Sequence, residues 1–190
     1  MAYYSEAELQ SMGFKFLGKN IKISNKASIY NCDQISIDDN SRIDDFCVIS
    51  GKVCIGRFVH IAPYSLIAGG EQGVTMDDFS GLAYHVQLFS QSDDYSGATL
   101  TNPTIPSTYK KEKKSSVHLG RHVIVGAGSI VFPGVHIMEG CSVGAMSLVH
   151  KSTEPWGIYV GNPANRVRNR KQDLLILEKE FLKEFENDSI

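Results

Sequence analysis

At 190 residues and 42% apolar content, the chain can form one domain with a sizeable core and a shorter appendage. A net charge of −2 gives no sign of a nucleic-acid or membrane-surface binder, and no apolar run reaches the length of a membrane span. Four cysteines (Cys32, Cys47, Cys54, Cys141) lack paired or metal-ligand spacing and read as reduced thiols. The opening "MAYYSEAELQ" has no basic region followed by an apolar stretch, so no signal peptide is expected and a cytoplasmic location is.

In chain order, residues 1–18 read as an N-terminal helical cap. Ser5 through Glu8 spells a capping box, and Gly13 can close the helix. Residues 19–170 are dominated by an apolar residue at every sixth position. Ile23, Ile29 and Ile35 begin the pattern. After a shift of two it continues through Ile37, Ile43, Ile49, Ile55, Ile61 and Ile67, and after another slip through Met76, Leu82 and Leu88. From about 89 to 118 the period stops, in a stretch holding "SQSDDYSG", "TNPT" and "KKEKK". It resumes at Leu119, Val125, Val131, Ile137, Val143 and Val149. Compact residues follow four positions on, among them Ser41, Cys47, Ser65, Ser129 and Ser147. Residues 171–190 read as a helix with Leu174, Leu177, Phe181 and Phe185 on one stripe. Helices at both ends are expected to cover the open edges of the repeat.

A period of six would smear its apolar residues around a helix, but suits a short strand followed by a turn. Three such units make an 18-residue triangular coil, stacking at the strand spacing of about 4.8 Å. The expected fold is all-β, a parallel β-helix. The period resembles that of the hexapeptide-repeat family, which implies a left-handed β-helix, an acyltransferase activity and assembly as a homotrimer with coenzyme A between neighbouring subunits.

Three features extend the resemblance. "GNPA", with Asn162 and Pro163, is similar to the family's closing motif beside the coenzyme A site. Ala127 and Ala145, flanked by Gly126 and Gly144, lie 18 residues apart. They form either a smooth column for a pantetheine arm or simply tight corners. Lys151, Arg166 and Arg168 stand where the family holds the nucleotide phosphates, while Arg170 fits better as a solvated surface charge.

The irregular segment resembles the active-site loop of the maltose and galactoside acetyltransferases. There a strand like Val86-Gln87-Leu88-Phe89 precedes a histidine that deprotonates a sugar hydroxyl; here that position is Asp93. A hydroxyl needs a base during attack, whereas an amine with pKa about 8 is partly nucleophilic near neutral pH and needs mainly orientation. The acids therefore point to an amine. "SDDYSG" with "TNPT", and the chain from Tyr3-Tyr4-Ser5 to "GNPA", resemble the N-acyltransferases of nucleotide-linked 4-amino-4,6-dideoxy sugars. That implies acetyl-CoA as donor, a nucleotide sugar as acceptor and a role in lipopolysaccharide or other surface polysaccharide synthesis. Asp94 would orient the amine with the carbonyl of Tyr84, and Asp93 is the alternative. Asp93, Asp94, Ser96 and Gly97 would also suit an ordinary turn.

Direct attack without an acyl-enzyme is expected, since no serine sits in a nucleophile motif. His60 and His85 are auxiliary base candidates, and as principal bases they would favour O-acetylation. His118 and His136, 18 apart, should stack on one outer face in a way similar to the γ-class carbonic anhydrases. His122, His85 and His60 fall at other phases of the repeat, so no metal is expected. A metal-dependent or non-catalytic protein stays open as an alternative. Phe89, Tyr95 and Tyr109 could stack on a base or pack the loop, and Lys110 to Lys114 could attract a diphosphate or merely be solvated.

Overall fold

In a computed structural model describing residues 2–187, the chain winds into a three-faced prism of parallel strands. Face 1 holds Phe16–Leu17, Ile35–Ile37, Val53–Ile55, Val74–Met76, Val117–Leu119 and His136–Ile137. Face 2 holds Lys22–Ile23, Arg42–Ile43, His60–Ile61, Gly81–Leu82, Ile124–Val125 and Ser142–Val143. It ends in the antiparallel hairpin Gly157–Val160 and Asn165–Asn169. Face 3 holds Ser28–Tyr30, Val48–Ser50, Leu66–Ala68, Gln87–Phe89, Ile130–Val131 and Leu148–Val149. The chain visits faces 1, 2 and 3 in turn, so each coil stacks on the previous one as the period of six requires.

Both long runs of branched residues point inward and are buried. On face 2 the register stacks Ile23, Ile43, Ile61, Leu82, Val125 and Val143 into one column. Burying each such side chain contributes about 1.5–3 kcal/mol. Stability is therefore spread over many similar increments. The compact corner residues also satisfy backbone groups. The hydroxyls of Ser41, Ser65 and Ser129 donate to the carbonyls of Gly56, Ala83 and Gly144 at 2.7–3.1 Å.

All the slips in the period occur at one place, the corner between faces 3 and 1. Eight residues separate Ile29 from Ile37 there because a 3-10 turn, Cys32–Gln34, is inserted. Ile35 and Ile37 both point inward from the same strand. The turn from Gly69 to Gly73 accounts for the second slip, and the long loop after Phe89 for the third. That loop is closed at its base by an antiparallel ladder between Gln91–Ser92 and Lys113–Lys114.

At the other two corners a left-handed residue recurs from coil to coil, which lets its side chain stack on the equivalent residue above. At the 1–2 corner these include Phe58, Phe79 and His122, and at the 2–3 corner Phe46, Tyr64 and His85. Left-handed backbone at a residue other than glycine costs about 1–2 kcal/mol. Ring stacking at 4.8–5.2 Å offsets part of that cost.

Helix α1, Glu6–Ser11, carries the expected capping box and buries Leu9 against the first coil. Helix α2, Leu174–Asn187, departs from expectation. It packs along the 1–2 corner rather than over an open end. Phe181 and Phe185 set their edges against Phe58 at 5.2 and 5.3 Å, while Leu177 is exposed. Glu178 pairs with Arg121 and, at 2.8 Å, with His122. The aromatic ladder gives α2 an apolar surface to cover, and the Arg121–His122 pair engages Glu178 there.

Burial alone would raise the Glu178 carboxyl, but Arg121 and His122 hold it below the ordinary carboxylate range. Its docking contribution is then complete above the unfolded pKa of about 4.3 and is lost as pH falls below that value through the folded one. Amide hydrogen exchange in residues 174–185 is expected to accelerate over that acid window, ahead of the coils. Unchanged protection of α2 down to the global acid transition would show that Phe181 and Phe185 alone hold it.

Candidate active site

Asp93 and Asp94 sit at the root of the loop, just beyond the short ladder at its base. Asp94 is partly exposed, and its carboxylate accepts from the Ser96 N–H and hydroxyl, both at 2.9 Å, and from the Thr99 hydroxyl at 3.2 Å. These bonds, the Ser96 N–H first, hold its carboxyl below the ordinary carboxylate range. Asp94 thus stays charged at neutral pH, suited to orienting a cationic or N–H donor and unsuited to removing a proton. Among the described residues the Asp93 carboxylate accepts only the more distant N–H of Asn102, at 3.3 Å. The turn expected from residue type is therefore present, and it presets a carboxylate.

Beside Asp93 is a cavity of about 340 Å³. Phe89 and Tyr95 line it, together with Phe132 and Pro133, which sequence reasoning missed. The signal was available in "FPG" at a 3–1 corner, one coil above the loop's point of departure. Tyr109 is exposed and lies outside that lining. The basic run is partly neutralised: Lys110 pairs with Glu112, and Lys114 with Glu71 and Glu112.

Tyr84 and His85 lie at the 2–3 corner, so one chain does not bring them against the acids. The Tyr84 carbonyl accepts the Gly128 N–H at 2.9 Å, leaving one lone pair. His85 is exposed and stacks on Tyr64 with ring planes 7° apart. His60 projects from face 2, and its Nε2 lies 2.8 Å from Asp44. Arg42 holds the same carboxylate through Nε at 2.6 Å and Nη2 at 3.1 Å. Burial opposes ionisation of Asp44, but Arg42 and His60 keep its carboxyl below the usual range. Its pairing depends on contact across coils.

Above Tyr84 the 2–3 corner carries small residues, with the exposed Met146 side chain lying over Gly128. Ala127 stands over Tyr84 and Ala145 over Ala127, with Gly128 above His85. A Cβ on Gly126 would come within 2.5 Å of the Ala145 backbone nitrogen. Gly18, Gly56 and Gly120 meet the next coil's backbone nitrogen in the same way, at 2.7–2.8 Å. Coil stacking therefore requires Gly126 whether or not a ligand lies nearby. Gly144 is limited instead by the Val160 side chain, at 2.7 Å.

Lys151, Asn162, Pro163 and Arg168 are exposed near the last coil, and the Asn162–Pro163 peptide is cis. Arg166 is less available than expected, since it pairs with Glu154 and donates to Asn169 at 3.0 Å. Arg170 is not a solvated surface charge. Its Nη1 reaches the carbonyls of His122, Gly140 and Cys141 at 2.6–3.3 Å, tying the end of the hairpin to two coils.

His118 and His136 pair in register on face 1, their rings 5.9 Å apart, and His118 lies 2.9 Å from Asp77. Among the described residues no group of three His, Cys, Asp or Glu side chains could hold a metal ion. No helix among them is long and apolar enough to cross a membrane.

No protein-family model matches the sequence. Over 184 residues the chain is 45% identical to the dTDP-4-amino-4,6-dideoxy-D-glucose acyltransferase of Escherichia coli, with 95% of each chain covered. Its fold matches that of AntD, an N-acyltransferase from Bacillus cereus. The D94N mutant of AntD in complex with dTDP and coenzyme A gives a TM-score of 0.96 at 49% identity, covering 97% of this chain and 100% of that one. AntD with dTDP and 3-hydroxybutyryl-CoA gives 0.96 at 50% identity, covering 98% and 100%.

Proposed function

The chain belongs to the hexapeptide-repeat acyltransferases, among those acting on nucleotide-linked 4-amino-4,6-dideoxy sugars, and from that membership we propose that it acylates the sugar amine using an acyl-CoA donor. The observation that carries this reading is the preset, ionised Asp94 next to Asp93, which lines the aromatic-walled cavity and stands where hydroxyl-acetylating relatives keep a histidine. The amine nitrogen attacks the thioester carbonyl directly. Collapse of the tetrahedral intermediate breaks the carbon–sulfur bond, and the departing thiolate takes the proton lost by nitrogen. Asp94 and the free lone pair of the Tyr84 carbonyl orient the amine, with Asp93 as the nearby alternative. His60, held by Asp44, and His85 are auxiliary proton acceptors. The two D94 replacements of AntD, to Asn and to Ala, fall on an aspartate of the same number.

Coenzyme A would lie along Ala127 and Ala145, beside Gly126 and Gly144, which let the coils stack closely there. Lys151, Arg168 and the Asn162-Pro163 turn would sit at its nucleotide end, with Arg166 joining after release from Glu154. The cavity lined by Phe89, Tyr95 and Phe132 would take a ring of the sugar nucleotide. Acetyl is the acyl group we assign.

We assign a homotrimer. Acids and Tyr84 stand at different corners of one chain, and assembly would bring one subunit's loop to the next subunit's 2–3 corner. The support is surface chemistry. The 1–2 aromatic ladder is covered by α2, whereas Phe46 and Tyr64 on the 2–3 ladder remain about half exposed, at 47% and 50%. A second copy would cover them. The four cysteines are free thiols, as suits a reducing compartment, and we assign the cytoplasm and a supply to surface polysaccharide synthesis.

Thiol release should follow mixing with acetyl-CoA and a 4-amino-4,6-dideoxy sugar nucleotide, and not with the matching 4-hydroxy compound. Release with the hydroxy compound alone would overturn the amine assignment in favour of O-acetylation. Faster release from 3-hydroxybutyryl-CoA would correct only the acyl group. Sedimentation equilibrium should give three times the 21.0 kDa chain mass.

A further inference from the structure

The hydrogen bonds around Asp94 leave little of its acceptor capacity unused. A carboxylate has about four lone-pair sites, and three are taken by the Ser96 N–H, the Ser96 hydroxyl and the Thr99 hydroxyl. Ser96 is itself held, because its oxygen accepts the Ala98 N–H at 3.2 Å while its single proton goes to Asp94. We propose that Ser96 and Thr99 are positioning residues that fix the Asp94 carboxylate in one orientation and leave one acceptor site for the substrate amine. This rests on the amine reading above.

On an otherwise exposed loop, a carboxylate without these donors would populate several rotamers and would have to be ordered during each turnover. The same donors favour the charged form, consistent with the lowered Asp94 carboxyl. Asp93, held by one long bond, has no comparable restraint.

The test is a mutant cycle on the full-length enzyme, with the 4-amino sugar nucleotide and acetyl-CoA as substrates. Combining Ser96→Ala with Thr99→Val should lower kcat by about 10-fold, leave KM for acetyl-CoA unchanged and leave the melting temperature of the coils intact. Ser96→Thr, which keeps the hydroxyl, should stay near wild type. In an Asp94→Ala background the same pair of changes should alter kcat by no more than about 2-fold. Carbon-13 NMR of labelled aspartate should show the Asp94 titration midpoint rising toward about 3.9 when the two hydroxyls are removed. An equal loss with and without Asp94, or an unmoved midpoint, overturns the proposal while leaving the amine reading in place. A wild-type enzyme that acylates no amino sugar nucleotide removes that reading and this proposal with it.

Discussion

Replacing Asp94 with alanine is expected to lower kcat/KM for the amino sugar nucleotide by about 10- to 150-fold. The figure follows from losing a hydrogen bond to a charged group, about 1.5–3 kcal/mol, converted to rate. Asp94 lies on the loop rather than in the coils, and its bonds are to Ser96 and Thr99 of the same loop. The thermal transition should therefore hardly move. Because the carboxyl is lowered, not raised, the wild-type acid limb should follow protonation of the substrate amine, and alanine should scale the profile without shifting it. A variant at near wild-type rate would transfer the role to Asp93 or to a histidine. Loss of activity accompanied by a changed acid limb would instead mean that Asp94 exchanges a proton during turnover.

The second large effect belongs to the coil. Ile61 is fully buried in the face 2 column between Ile43 and Leu82. Ile61→Ala should destabilise by about 2–5 kcal/mol through lost transfer energy and the cavity left behind. For a chain of this length each kcal/mol is about 2–4 °C, so melting at fixed protein concentration should fall by roughly 4–20 °C. Ile124 is a useful contrast: it lies on the same face, projects outward and is 48% exposed. Ile124→Ala should cost about 0.5 kcal/mol or less. Similar losses at both positions would contradict the assignment of inward and outward positions, and with it the stacked column.

The two effects separate what each part of the chain does. Buried coil residues such as Ile61 build the frame, while the loop acids and the Tyr84 carbonyl are the groups proposed to meet the amine. His60 belongs to neither group cleanly. Its contact with Asp44 joins residues one coil apart, with Arg42 completing the set. Such a relation is invisible to spacing read along a line, though it follows once coils are stacked.

What the sequence determined by itself was the repeat and all that is local to it. A residue every six positions dictates which side chains face inward, because a coil of three equal sides leaves no other register. The capping box of α1 and the compact corners were legible for the same reason. The slips were visible as shifts in numbering, but only the folded chain showed that all of them fall at the corner between faces 3 and 1.

The position of α2 required the tertiary structure, since an amphipathic stripe does not say which surface it will cover. Phe58, Phe79 and His122 decide that, and they are assembled by stacking across three coils. Arg170 turned inward because carbonyls of two different coils converge on it. The acids at 93 and 94 were found from sequence as a departure from period and from family pattern. Their arrangement was not, because a carboxylate's orientation is set by the donors that surround it, and Ser96 and Thr99 become donors only when the loop folds back on itself.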